Sequence, residues 1–436
     1  MAYAQITQAG LAQEIAVALQ DPSHVYWSLG EIYAAIDEGL LYWGALTSWW
    51  RERGTFSTSA ATPLYDLHTL LPTLRARTYT LGDLTNEILY HFLEPCTGSP
   101  AGVAGTGDTD QFTIGQITSV LTRKRNELAI DAKLPQTFST IPVPFTPEGI
   151  LTLGDEIALT GRGAWEDIST GIISPLNVED YWAAQSWAPL WTVTPNKPYA
   201  MAFGETQPLQ VQFIPPPLSA GNLHLVHVDT IGMAIADGTP FEMPDEYVHA
   251  IKYASMYELL ATNNQGYDAQ RAQYCIERYK SYVELSKLQR SIIRIYLQGV
   301  PLPLDTLQAL DSGRPNWQNQ PGVPNLCGVA YDIIALSNVP TQAFGMAADV
   351  IRSAPLPATT TDFIQLGREE IPYLMDYCRH VLSFKMGGSD FIASVALYDN
   401  FLTGAKQRNK LLVSKIPYLQ PLFNNAERET AVEPVA

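Results

Sequence analysis

Between residues 5 and 53, apolar positions recur at steps of three and four, and this spacing predicts two helices. In the second, Ser28-Leu-Gly-Glu31 is a capping box, and Ile32, Ile36, Leu40 and Trp43 then form one core-facing stripe. Trp49 and Trp50 close that segment before Arg51 and Arg53 and are candidates for a contact surface. From Thr55 to Leu67 two β-prone runs flank a Thr-Pro turn, which predicts a hairpin or strand pair. Residues 81–94 predict a helix with Leu84, Ile88 and Phe92 on one face. Residues 98–110 predict a Gly-rich loop.

A second capping box, Thr113-Ile-Gly-Gln116, opens a helix striped by Ile117, Leu121 and Leu128. Arg123, Lys124 and Arg125 read as its cationic solvent face. They are the densest basic cluster of the chain, suited to a carboxylate-rich neighbour or to phosphates. After Pro135 the pattern changes to alternation in TFSTIPVPF, GILTLGDEIALTG and LQVQFIPPP. Leu209, Val211 and Phe213 share one side there, so the middle of the chain is predicted to be β-rich. Trp182, Trp187 and Trp191 are interrupted by prolines and spaced too irregularly for one helix face. They predict a connection packed on a sheet or a neighbouring subunit, with a sugar-binding platform as the alternative.

Sliding the last 200 residues over themselves reveals self-similarity at an offset of 124. Glu246 aligns with Glu370, Tyr253 with Tyr377, Tyr267 with Phe391, and Tyr274 with Tyr398. Each copy starts with acidic residues suited to a helix N-terminus and is split by a Gly-containing turn, at 263–266 and at Gly387-Gly388. Each therefore predicts a helical hairpin. A strand, a proline turn and a second strand precede each one. The expected fold class is α+β: a mainly helical region over 1–135, a β-rich Trp/Pro-rich segment over 136–208, a strand pair plus helical hairpin over 209–300, a linker and second such module over 301–423, and a tail over 424–436.

The net charge of −17 opposes general binding of nucleic acid or an anionic membrane. Only 16% of residues are charged, while 22 are Tyr and 9 are Trp, a balance that suits a subunit burying aromatics against other chains. The N-terminus lacks a basic start followed by an apolar core, and no apolar run is long enough to span a bilayer. A soluble protein made in the cytoplasm is expected, without membrane association. Cys96, Cys275, Cys327 and Cys378 form no CxxC pair, so neither a zinc site nor a disulfide framework is indicated.

Chemistry is sparse in the pattern. Gly105-Thr-Gly107 lacks the third glycine and preceding strand of a dinucleotide fingerprint. His224 and His227, three apart on a predicted strand, face opposite sides and cannot chelate one ion from it. His249 and His380 read as structural histidines on the first helix of each repeat. No metalloprotease, nucleophile-elbow, calcium-loop or paired-carboxylate signature appears, so no catalytic residue, cofactor or metal ligand is assigned and a non-enzyme is expected.

Three stretches, SLGEIYAAIDEGLLYWGALTSWW, the Pro-rich middle ending FIPPP, and PDEYVHAIKYASMYELLA followed by YDAQRAQYCIERY, resemble the head-to-tail connector (adaptor or neck) proteins of tailed bacteriophages. The resemblance spans most of the chain in order of elements. It implies a structural virion protein forming a homo-oligomeric ring, commonly of twelve copies, in the neck. Such a ring joins the portal protein to tail or neck proteins and continues a channel through which DNA passes without sequence-specific binding. The second repeat after residue 330 departs from the many shorter adaptors. A tail or baseplate subunit is one alternative, and a carbohydrate-binding or glycosidase-like protein using Trp182, Trp187 and Trp191 is another. The polar tail 424–436 is expected to dock on a ring neighbour or the portal, with Val432 and Val435 as apolar anchors.

Overall fold

A computed structural model describes residues 6–92, 112–187, 190–203, 210–231, 236–262, 267–288, 291–314 and 316–415. Among them eight helices have eleven residues or more: α1 (Gln8–Ala18), α2 (Leu29–Thr47), α3 (Leu81–His91), α4 (Ile114–Ala132), α5 (Asp245–Ala261), α6 (Ala269–Leu288), α7 (Ile371–Ser383) and α8 (Gly388–Lys415). Side chains near the ends set where they begin. Ser28 and Glu31 cap α2 reciprocally, Thr113 and Gln116 do the same for α4, and Thr80 with Asp83 forms a third such box on α3. The stripes follow the periodicity: Ile32, Ile36, Leu40, Trp43, Leu84, Ile88, Ile117, Leu121 and Leu128 are all fully buried.

All eight helices contribute to one hydrophobic core. The two helical hairpins, α5–α6 and α7–α8, are present, and α2 packs against α5 and against both helices of the second hairpin. The expected turn at 263–266 lies outside the described residues. In the other, Gly387 and Gly388 both take positive φ (64° and 52°), the region glycine enters without strain. On α2, Gly39 permits close approach: a Cβ there would lie 2.5 Å from Leu374 Cδ1 and 3.0 Å from the Tyr377 ring of α7.

Seventeen strands complete the fold among the described residues. β1 (Arg51–Ser57) and β2 (Leu64–Asp66) precede β3 (Gln136–Val143), β4 (Ile150–Thr152), β5 (Ile157–Asp167), β6 (Ile172–Val178), β7 (Ala200–Phe203), β8 (Gln210–Ile214) and β9 (Gly221–Asp229). After the first hairpin come β10 (Ile292–Leu297), β11 (Val300–Leu302), β12 (Leu304–Thr306), β13 (Pro321–Gly322), β14 (Leu326–Ala330), β15 (Ile333–Ser337), β16 (Val339–Pro340) and β17 (Gly345–Ile351). The β-rich middle forms a seven-stranded sheet, ordered β3-β9-β5-β6-β7-β8-β4. Trp165, Met201, Val211, Phe213 and Leu223 help build a single cluster fed by all seven strands, so this sheet curves around its own core. Two four-stranded sheets, β1-β17-β10-β11 and β12-β14-β15-β2, share a second cluster that includes Ile295, Met346, Val350, Ile334 and Leu336.

Two expected strand pairings are corrected. β1 and β2 form no hairpin, because β1 pairs with β17 and β2 with β15. The connection between them bonds elsewhere too, with Thr58 N donating to Phe344 O and Ala61 N to Pro340 O. The strands preceding each helical hairpin are present, but neither pair is hydrogen-bonded within itself. β8 and β9 are separated by β5, β6 and β7, whereas β15 and β17 lie in different sheets. Three successive prolines, Pro215 to Pro217, offer no N–H and fixed φ, so they carry the chain onward rather than fold it back into a tight turn. At the equivalent position Val339–Pro340 pairs in parallel with Pro321–Gly322 instead of turning.

The Gly39 contact can be tested directly. Gly39→Val is expected to destabilise the chain by about 1–3 kcal/mol through overpacking against α7, despite removing a helical glycine. Urea denaturation followed by far-UV circular dichroism measures it, and a variant as stable as the parent refutes the close approach.

Candidate functional site

Helix α2 carries Glu38 into the middle of the helical core, where its side chain is 1% exposed. Lys252 of α5 donates to Glu38 Oε2 at 2.5 Å and to Glu87 Oε2 of α3 at 2.8 Å. The other Glu38 oxygen accepts the hydroxyls of Tyr253 (2.6 Å) and Tyr377 (2.8 Å), the residues aligned by the internal repeat, so both hairpins bind one carboxylate oxygen. Arg278 of α6 donates to the Tyr377 hydroxyl at 2.7 Å and bonds that of Tyr398. Its guanidinium lies 4.2 Å from the Tyr42 ring centre, 4.7 Å from that of Tyr398 and 4.9 Å from that of Tyr253, with Tyr282 and Tyr377 slightly farther away.

Burial alone would raise the Glu38 carboxyl, but Lys252, His249 and Arg278 hold it below the usual carboxylate range. Glu87 is lowered against burial in the same way by Lys252 and His249, and the two carboxylates in turn raise the Lys252 ammonium against its own burial. Donor atoms of Glu38, Glu87 and His249 lie within 4.8 Å of one another, a spacing suited to one cation. The Lys252 ammonium bonds both carboxylates and is that cation. The arrangement fastens helices together, with the Glu38, Glu87 and Lys252 side chains all buried.

Beside it, α2, α3 and the segment 78–79 line a cleft of about 230 Å³ that includes Tyr33, Asp37, Tyr79, Asp83 and Tyr90. The half-buried Asp37 accepts from Gln8 Nε2 at 3.2 Å. Burial, and secondarily the Glu87 carboxylate, push the Asp37 carboxyl up to about 7. A further buried set ties this core to the sheets: Arg75 bridges Asp332 and Glu246, each at 2.9 Å, and Arg77 reaches Asp332 at 3.3 Å.

No protein family and no curated protein matches the chain.

The basic cluster is not the cationic solvent face expected. Arg125 is fully buried, donating from Nε to Phe241 O (2.9 Å) and from Nη1 to Asp229 O (2.6 Å). Arg123 and Lys124 are paired with Glu258, and Lys124 also with Glu127 at 2.6 Å. Three consecutive helical residues span about 200° of the helix surface, so they cannot share one face. Position 125 is four after Leu121 and three before Leu128, which places it on the apolar stripe.

Trp50 is buried, donating to Gln365 O at 3.2 Å, whereas Trp49 is half-buried with Arg408 4.3 Å from its ring centre. Trp191 is 4% exposed against Ala184, Ala200 and Ile214, while Trp182, on the short helix Tyr181–Trp187, is 68% exposed. The Trp187 side chain, Val432 and Val435 lie outside the described residues, as do Cys96 and the 98–110 loop. With Trp191 buried, the sugar platform loses one of its three walls. His224 bonds Glu166 and Thr140, while His227 bonds Ser139 and pairs with Asp229, so the two occupy separate networks. His380 is held between Ser394 and Tyr274, both at 2.8 Å. Cys275, Cys327 and Cys378 are buried free thiols, and burial pushes all three up. Among the described residues no helix is long and apolar enough to cross a membrane.

Two measurements probe the network and its rim. Lys252→Met leaves Glu38 and Glu87 facing each other without the ammonium that bridges them and is expected to cost about 3–5 kcal/mol in urea unfolding. A loss below about 1 kcal/mol refutes a closed network. For Asp37, the raised folded value means that the folded chain keeps a proton the unfolded chain has already released. Its contribution is complete below about pH 4 and is lost as pH rises through about 7. Relative to the parent, Asp37→Asn should therefore gain roughly 1–2 kcal/mol between pH 5 and pH 8, a figure discounted for partial exposure. A stability difference that stays constant across that range contradicts the assignment.

Proposed function

We propose that this chain is a structural subunit of a tailed-phage virion, forming a ring of about twelve copies in the neck between the portal and the tail. The observation that carries the reading is where apolar surface is left open. Of 22 large hydrophobic side chains exposed among the described residues, nine fall between residues 138 and 218, on and around the seven-stranded sheet. They include Phe145, Ile168, Val178, Trp182, Leu190 and Leu218, each more than half exposed. Apolar residues gathered in this way on one lobe suit a recurring subunit contact.

The interior supports a non-enzymatic role, since the clustered ionisable groups bind one another and serve packing. Net charge supports a conduit. At −17, with Arg125 buried and Arg123 and Lys124 paired to Glu258, the chain offers passing phosphates little to grip. The sequence resemblance to connector proteins supplies the choice of the neck over other assembly sites, including a tail or baseplate position.

Negative-stain electron microscopy and mass photometry of the purified full chain, alone and with portal protein, test this. Closed rings of about twelve copies are expected, and Trp182→Glu with Leu190→Glu should abolish them without changing the thermal melt. A chain that stays monomeric with portal present, or rings indifferent to the double substitution, overturns the proposal.

A further inference from the structure

The end of α2, the strap over 355–370 and α8 enclose a second concavity of about 820 Å³. Trp49, Leu356 and Phe363 supply its apolar surface, and Phe363 is 54% exposed. The strap is held open by its own bonds and by the N-terminal segment. Ile364 N donates to Ile6 O, Gln8 N to Asp362 O and Ala9 N to Thr360 O, all between 2.9 and 3.0 Å. The Asp362 carboxylate accepts the amides of Ala358 and Thr359 at 3.0 and 2.8 Å. The groove is thus a preformed surface.

Its charge is unbalanced. Asp362, Glu369 and Glu370 line it with a single guanidinium, that of Arg408. Arg408 is already committed, 3.3 Å from Glu370 and stacked over Trp49. The Asp362 carboxylate bonds the amides of Ala358 and Thr359 and the Thr359 side chain, and exposed Glu369 has no partner among the described residues. Arg368, though exposed, does not line the groove. Leu356 also walls the neighbouring cleft, which holds the Asp83 carboxylate.

We propose that this groove docks an extended segment of a different, basic protein, one in which Arg or Lys alternates with proline or small apolar residues. Its cations meet Glu369 and Asp362, and its apolar residues lie on Trp49 and Phe363. The stacking of Arg408 on Trp49 shows within this molecule the contact an incoming cation makes with an aromatic face. Charge complementarity selects the occupant: the groove's three carboxylates against one guanidinium repel a nucleic acid and draw in a cationic segment. This inference stands apart from the neck-ring reading and holds for any assembly the chain enters.

The test uses the full chain and a fluorescein-labelled decapeptide, Ala-Pro-Arg repeated three times and closed by Ala, with fluorescence anisotropy as readout. The arginine peptide should bind and its glutamate counterpart should not. Glu369→Lys and Phe363→Ala, both at exposed side chains, should each weaken binding about tenfold. Glu148→Lys makes the same charge change at an exposed position outside the groove and should alter binding less than about twofold. The proposal is overturned if the arginine peptide fails to bind at millimolar concentration, or if Glu148→Lys weakens it as much as Glu369→Lys, since attraction is then to net charge alone.

Discussion

A carboxylate removed from water must be surrounded by donors, and Glu38 obtains them from helices more than 200 residues away in sequence. Lys252 and Tyr253 come from α5 and Tyr377 from α7, while Arg278 on α6 holds the Tyr377 hydroxyl in place. Removing any one leaves a buried polar group short of partners, which costs more than the bond itself contributes. Because the donors sit on both helical hairpins while the acceptor sits on α2, the geometry of the carboxylate fixes how three parts of the chain meet. Arg75 repeats the device at the next boundary, locking Glu246 at the start of α5 to Asp332 between β14 and β15.

Much of the helical layer was legible from local signals. Capping boxes and three-and-four spacing depend only on neighbours in sequence, so α2 and α4 begin where Ser28 and Thr113 place them. The repeat pointed further, because the aligned Tyr253 and Tyr377 prove to share an acceptor. Strand pairing was less legible, since a partner is chosen by the whole sheet and not by the intervening turn. β1 found β17 almost 300 residues away. Arg125 was misread because composition suggested a basic surface where its helical position placed it on the apolar stripe. The network around Glu38 left only one mark in the sequence, the aligned tyrosines. Glu87 and Lys252 carry no local pattern that pairs them.

Interior and surface therefore divide the work. The core spends its acids, bases and tyrosines on holding helices and sheets in register. The surface presents open apolar side chains on the sheet lobe and, beside α8, an acidic and aromatic groove. A fold arranged in this way keeps its rigidity inside and leaves its open apolar and acidic surfaces outside.

The shared acceptor also bears on how the chain is made. Glu38 and Tyr377 are 339 residues apart, so at a synthesis pace of about 5–20 residues per second the donor leaves the ribosome roughly 20 to 70 s after the acceptor. The N-terminal helices emerge first, the first hairpin then brings Lys252, Tyr253 and Arg278, and the second hairpin adds the last donor to the carboxylate, the Tyr377 hydroxyl. Completion of the core is thereby deferred to the end of translation, and the finished carboxylate cluster marks a chain whose second hairpin has arrived.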